Sequence, residues 1–206
     1  MNTISLLQNK GGCGKSSLTV NLAVQFHLMD LATLIVDLDP QGTTSLWSKQ
    51  RAGQDPSCVA GQAHQLEDIL SSAERNGADM IVIDTPPRSD SVALAAARAS
   101  NLVLMPCRPS LPDLDALKLT SDLVSIAKMQ DQAYVVLNAV PANKTVEHDS
   151  QQAIKAMELN LAPMTIGNRI GFSHAFTSGQ GIAEFKPTDK GTNEIRRLAN
   201  WLSKLL

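Results

Sequence analysis

Eight consecutive residues, Lys10-Gly11-Gly12-Cys13-Gly14-Lys15-Ser16-Ser17, gather three glycines, two lysines and two hydroxyls. Glycines at this density let a backbone curl until successive N–H groups point inward, the geometry that binds phosphate oxygens. A helix starting at Ser16 would offer its positive end to the same anion. Lys15 would then supply a mobile cation, and the Ser16 hydroxyl stands where a Mg²⁺ ligand is usual in loops of this kind. Three carboxylates complete the set: Asp37, Asp39 and Asp84 each follow a short apolar run. A carboxylate at the carboxyl end of a sheet strand, beside a phosphate loop, can orient a water molecule or a metal ion.

Those positions depend on the elements around them. Strands are expected at Ile4–Leu7, Thr33–Val36, Met80–Ile83, Leu102–Met105, Tyr134–Leu137 and, briefly, Met164–Ile166. Helices are expected at Ser16–Leu28, Thr43–Lys49, Gln65–Arg75, Asp90–Ala99, Leu114–Met129, Ser150–Leu159 and Asn193–Leu206. The strands are continuous apolar runs of about four residues rather than alternating ones, which suits strands covered on both faces. Strand and helix alternate with short connections, so the pattern predicts an α/β, doubly wound, mostly parallel sheet with helices on both faces. Arg51–His64, with its Gly, Pro, Gln and Ser, reads as a surface loop. No linker separates two domains, and residues 1–206 read as one.

Composition narrows the class. The chain has 206 residues, 43% hydrophobic and 18% charged, which is globular and long enough to bury a core without disulfides. Aromatics are only 3%, which argues against reading single strands by base stacking. The net charge of −2 means that any DNA contact must come from a local patch. Cys13, Cys58 and Cys107 are odd in number and widely spaced, which excludes a disulfide framework and any C-x-x-C metal or iron–sulfur pair. Free thiols and the lack of a basic, apolar leader point to the cytoplasm. No apolar run reaches the roughly 18 residues of a membrane span. His27, His64, His148 and His174 show no metal spacing.

The loop departs from the common G-x-x-x-x-G-K-[ST] pattern: Asn9 holds the first glycine position, and Lys10 lies five residues before Lys15. This form resembles the deviant Walker A loop of the ParA/MinD family of ATPases. Val36-Asp37-Leu38-Asp39-Pro40-Gln41-Gly42 resembles that family's D-x-D-P-Q element, and Ile83-Asp84-Thr85-Pro86-Pro87 its Walker B. Met105-Pro106-Cys107-Arg108-Pro109-Ser110, followed by Asp113-Leu114, resembles the P-x-x-P-S element before a long helix. Arg169–Ala175 with Gly179 and Gly181 resembles the closing segment. The match runs nearly the whole chain and is closest to small ParA-type plasmid partition proteins lacking an N-terminal helix-turn-helix, for which a phosphate-loop strand starting at residue 3 leaves no room.

The resemblance implies a P-loop fold, ATP and Mg²⁺. It implies that residues 10–17 hold the nucleotide, that Asp39 positions the attacking water, that Asp84 holds Mg²⁺ through a water, and that Asp37 supports the metal shell and Lys15. It implies that Lys10 reaches across a two-fold interface to the phosphates bound by a partner subunit, which makes the homodimer ATP-dependent. Asn138, after the fifth of the long strands, falls where the family reads adenine, and an Asn ending a strand in a turn is the structural alternative. Pro106, Pro109 and Pro112 would shape the loop that walls the base. Cys13 reads as a small filler within the phosphate loop.

The carboxyl-terminal end carries a second signal. Residues 186–206 hold five basic residues against two acidic ones, a net of +3 in a chain whose total is −2. Lys186, Lys190, Arg196 and Arg197 are the candidates for the family's sequence-independent DNA contacts; a solvated helix face is the alternative. Adjacent residues lie about 100° apart on a helix, so spacing leaves open which arginine points outward. Ile195, Leu198, Leu202 and Leu205 form an apolar stripe, read as packing on the sheet rather than as the membrane helix of MinD-like relatives. The expected function is a slow, partner-stimulated ATPase, cytoplasmic and nucleoid-associated, that positions a plasmid or other cargo with a centromere-binding or adaptor protein and makes no stable membrane association. The alternatives are a MinD-like membrane-associated positioning ATPase, a metabolic ligase and an iron–sulfur carrier.

Overall fold

The computed structural model describes residues 1–51 and 55–206. Six strands form one sheet: β1 (Asn2–Leu6), β2 (Thr33–Asp37), β3 (Ser57–Ala60), β4 (Met80–Asp84), β5 (Leu102–Cys107) and β6 (Ala133–Leu137). Their order is β3-β2-β4-β1-β5-β6, and every pair is parallel. The helices are α1 (Lys15–His27), α2 (Thr43–Gln50), α3 (Leu66–Arg75), α4 (Asp90–Arg98), α5 (Leu111–Ile126), α6 (Lys144–Ala156), α7 (Ile170–Thr177), α8 (Ile182–Phe185) and α9 (Lys190–Leu202).

The apolar strand runs serve two cores at once. In β5, Leu102 and Leu104 join the core built with α1 and α9, whereas Val103, Met105 and Cys107 join the one built with α4, α5 and α6. Side chains alternate across a strand, so a run apolar at every position is apolar on both faces. A third cluster lies under α3, where Val36, Ile81 and Ile83 meet Leu66 and Ala73. The doubly wound parallel architecture is as the sequence predicts.

Three local expectations are corrected. Residues 57–60 within the expected loop form edge strand β3, paired from Leu34↔Ser57 to Asp37↔Ala60, and Ala63–Gln65 forms a 3₁₀ turn; residues 52–54 of that loop lie outside the described residues. β3 is half-exposed and short, so its apolar signal is weak. Met164–Ile166 is not a strand. It runs beside β6 and makes single backbone bonds, Ile166 N–H to Leu137 O at 2.8 Å and Val140 N–H to Ile166 O at 3.0 Å, with isolated bridges only at Leu161 and Gly167. Pro106 belongs to β5 rather than to the loop after it. Helices α7 and α8 fill a stretch in which the sequence showed a motif but no helical period.

β1 lies between β4 and β5, and the chain leaves it for β2 on one side, so its carboxyl end is where the connections diverge. Such an end opens a crevice for ligands. The phosphate loop, Asp37 and Asp84 all meet there.

Candidate functional site

The loop begins on a buried anchor. Gln8 accepts at Oε1 from Asn9 N–H and from the Thr120 hydroxyl, each at 2.8 Å, and donates from Nε2 to Pro106 O at 3.2 Å. Gly12 (φ 77°) and Gly14 (φ 94°) then take left-handed conformations. At Gly14 a Cβ would stand 2.2 Å from Asn138 Nδ2, so both dihedral and space demand glycine. Gly14 is also the N-cap of α1, with no side-chain cap and no acidic residue in the first turn. The orphan N–H groups of that turn, and the dipole behind them, therefore face the loop without an internal anion.

Lys15 folds back over this loop. It is buried, and Nζ donates to Gln8 O at 3.0 Å. Among the described residues no carboxylate lies within ion-pair distance of it. A buried ammonium held by one carbonyl beside uncapped helix N–H groups is a site for an anion. Cys13 is buried, its carbonyl accepts from Asn138 Nδ2 at 2.8 Å, and burial pushes its thiol pKa up. Asn138 is thus bonded to the loop itself through its amide nitrogen. With Ser16, Ser17, Thr43, Arg108, Asn168 and Arg169 it lines a cleft of about 370 Å³ beside the loop.

Two of the three carboxylates come together at the strand ends, and Asp39 lies two residues past β2 in a turn. Asp37 and Asp84 are register partners on β2 and β4. Asp37 Oδ2 accepts from Ser45 N–H at 2.8 Å and from the Ser45 hydroxyl at 2.7 Å, and its Oδ1 accepts from Asp39 N–H at 3.1 Å. Asp84 is fully buried; Oδ2 accepts from the Thr44 hydroxyl at 2.5 Å, and Oδ1 has no hydrogen-bond partner. Burial raises its pKa from 3.8 to about 6, against the opposing pull of the Ser16 and Thr44 hydroxyls. Asp39 is half-exposed and caps its own turn, accepting from Gln41 N–H at 2.9 Å.

An orphaned, dry carboxylate oxygen near the Ser16 hydroxyl fits a hard divalent cation such as Mg²⁺. Asp37, with three donors already, fits a supporting role. The described residues contain no group of three or more His, Cys, Asp or Glu able to hold a metal.

Lys10 is on the rim. Its Nζ pairs with Asp113 Oδ2 at 2.6 Å; the lysine is about one-third exposed and the aspartate nearly buried. Asp113 sits in the first turn of α5, bonded also to the Ser110 hydroxyl. Gln8, Thr44, Ser45 and Thr120 were not singled out from sequence, and Asp113 was quoted only within the element before the long helix, with no role at the loop. Only Ser110-x-x-Asp113 carried a local signal, as a helix cap; Gln8 lies two residues before Lys10 but is anchored by Thr120, and Thr44, Ser45 and Thr120 lie 27 or more residues beyond Ser17.

At the far end, Lys186, Lys190, Arg196 and Arg197 are all exposed. Both arginines face solvent, Arg196 donating weakly to Asn193 Oδ1 at 3.3 Å. Ile195, Leu198 and Leu202 are fully buried against α1 and the sheet, so this part of the stripe belongs to the core; Leu205 lies past the end of α9 and is exposed, contrary to the expected four-residue stripe. No helix among the described residues is long and apolar enough to cross a membrane.

A parallel sheet whose central strand feeds an uncapped, glycine-rich turn with a buried lysine defines a phosphate-loop nucleotide-binding protein. The chain belongs to the CobQ/CobB/MinD/ParA nucleotide binding domain family, whose model matches residues 4–182. It is 26% identical over 251 aligned positions to Protein IncC of Escherichia coli, covering 98% of this chain and 69% of that protein. It is 24% identical to Maintenance of carboxysome distribution protein A of Halothiobacillus neapolitanus, covering 96% and 94%. Its fold is similar to the MinD cell division protein of Aquifex aeolicus, with a TM-score of 0.79 at 12% identity over 99% of this chain and 98% of that one.

Proposed function

We propose that residues 1–206 form one ParA-type ATPase domain that partitions or positions a cargo, using ATP to form a sandwich dimer that binds DNA without sequence preference. The observation that carries the reading is the buried Lys15 facing the uncapped start of α1, with a second lysine, Lys10, on the rim of the same loop. Loop N–H groups and Lys15 hold the β- and γ-phosphates. Asp39 accepts a hydrogen bond from water and aligns it for in-line attack on the γ-phosphorus; Asn138 and the adjoining cleft take the base. Ser16, and Asp84 through water with Asp37 behind it, would hold Mg²⁺, which would supply charge neutralisation at the phosphates. Lys10 completes the partner's site across the two-fold interface. Hydrolysis is slow until a centromere-binding or adaptor protein completes the positioning of water and charge.

The basic exposed residues near and on α9 support DNA as the surface, and the burial of that helix's apolar stripe supports it over a bilayer. The protein would then work in the cytoplasm on the nucleoid. A mobility-shift titration on random duplex DNA tests the reading. Binding with ATP and none with ADP is expected, falling steeply with salt because each neutralised phosphate releases counterions. Equal binding in both nucleotide states overturns it.

A further inference from the structure

Asp37 and Asp84 stand side by side at the carboxyl edge of the sheet, and the two carboxylates are held very differently. Asp37 receives three hydrogen bonds. Asp84 receives one of good geometry, from the Thr44 hydroxyl to Oδ2 at 2.5 Å, and both residues are fully buried. A carboxylate at a strand end can turn about its last torsion, whose energy wells are broad. With Oδ2 tied to Thr44, the oxygen left unpaired is Oδ1. Thr44 itself has little freedom. It lies one helical turn before Trp47, which is buried and donates from Nε1 to Gln180 O at 3.3 Å, so the inward face of α2 is fixed.

We propose that Thr44 is a positioning residue that sets which oxygen of Asp84 is presented to the divalent cation. The inference rests on the nucleotide-site reading and adds a residue to it. Thr44 does not touch nucleotide or cation; it acts by holding Oδ2 so that Oδ1 and the Ser16 hydroxyl are kept for the metal shell. Because Thr44 is the second residue of α2, two past the Asp39–Gly42 turn, the same bond ties the helix that follows the water-placing segment to the metal carboxylate. Outer groups that orient a ligating carboxylate typically change metal affinity by about 10–100-fold when removed.

The test is a Mg²⁺ titration of fluorescent ATP-analogue binding, repeated in EDTA, for Thr44→Val, Thr44→Ala and Thr44→Ser. Val keeps the volume and removes the donor; Ala and Ser differ by one oxygen and carry the test if Val does not fold. The Mg²⁺ concentration for half-saturation should rise about tenfold or more in Val and Ala and return to within about twofold of wild type in Ser. Binding of the analogue in EDTA should be unchanged in all three. A Mg²⁺ requirement in Ala indistinguishable from that of Ser, with wild-type protein responding normally to Mg²⁺, overturns the role of Thr44 and leaves the nucleotide site standing. Wild-type protein that binds no nucleotide overturns both.

Discussion

Lys10 Nζ lies 2.6 Å from Asp113 Oδ2 of its own chain, so the lysine expected to serve a partner is neutralised at home. Asp113 is nearly buried and cannot follow the lysine outward. Reaching across an interface therefore means giving up this pair. Lys10→Ala should bind ATP as a monomer and fail to dimerise in analytical ultracentrifugation with ATP. Asp113→Asn should have the opposite effect. A partly exposed pair contributes about 0.2–1 kcal/mol, so ATP-dependent dimerisation should tighten by about 1.4- to fivefold for each lysine released. Normal dimerisation of Lys10→Ala would remove the lysine from the interface.

Asp39 is half-exposed and its carboxylate accepts only within its own turn, unlike the two buried strand-end carboxylates. Asp39→Ala should keep ATP binding and accumulate a long-lived dimer on size-exclusion chromatography, with hydrolysis lost. Turnover at the wild-type rate would make Asp39 a turn residue and assign the water to another group.

Burial makes the Asp84 carboxylate a stability cost when no cation offsets its charge. Its folded pKa, about 6, is above the ordinary 3.8, so between those values the native state binds more protons than the unfolded one. Stability then falls as pH rises through that window, and the full penalty, of order 3 kcal/mol, is present above pH 6. Asp84→Asn removes the charge and should stabilise nucleotide-free protein at pH 7.5 more than at pH 5, in urea melts at both. A gain that is the same at both pH values would mean that the carboxylate is not strained by burial.

The exposed pair Arg196 and Arg197 carries the DNA reading. Replacing both by Glu should abolish ATP-dependent duplex binding in a mobility shift and leave basal ATPase activity near normal, since Ile195 and Leu198 on either side of them still fill the core. Unchanged binding would move the patch to Lys186 and Lys190.

What the sequence determined was local. Four-residue apolar runs specified strands buried on both faces, and glycines beside lysine and serine specified a phosphate turn, because each depends on neighbours within a few residues. Asp37, Asp39 and Asp84 were legible as strand-end groups for the same reason. The edge strand β3 was not, since a half-exposed strand of four residues shows little hydrophobic signal, and neither was the route of residues 164–166, which is set by single bonds to β6. The partners of the site were decided only by tertiary structure. Thr44 on Asp84, Thr120 on Gln8, Asn138 on Cys13 and Asp113 on Lys10 are separated by 40, 112, 125 and 103 residues. A hydrogen bond spans about 3 Å whatever the chain length between its ends, so no spacing rule announces it; the parallel sheet brings those residues to one edge.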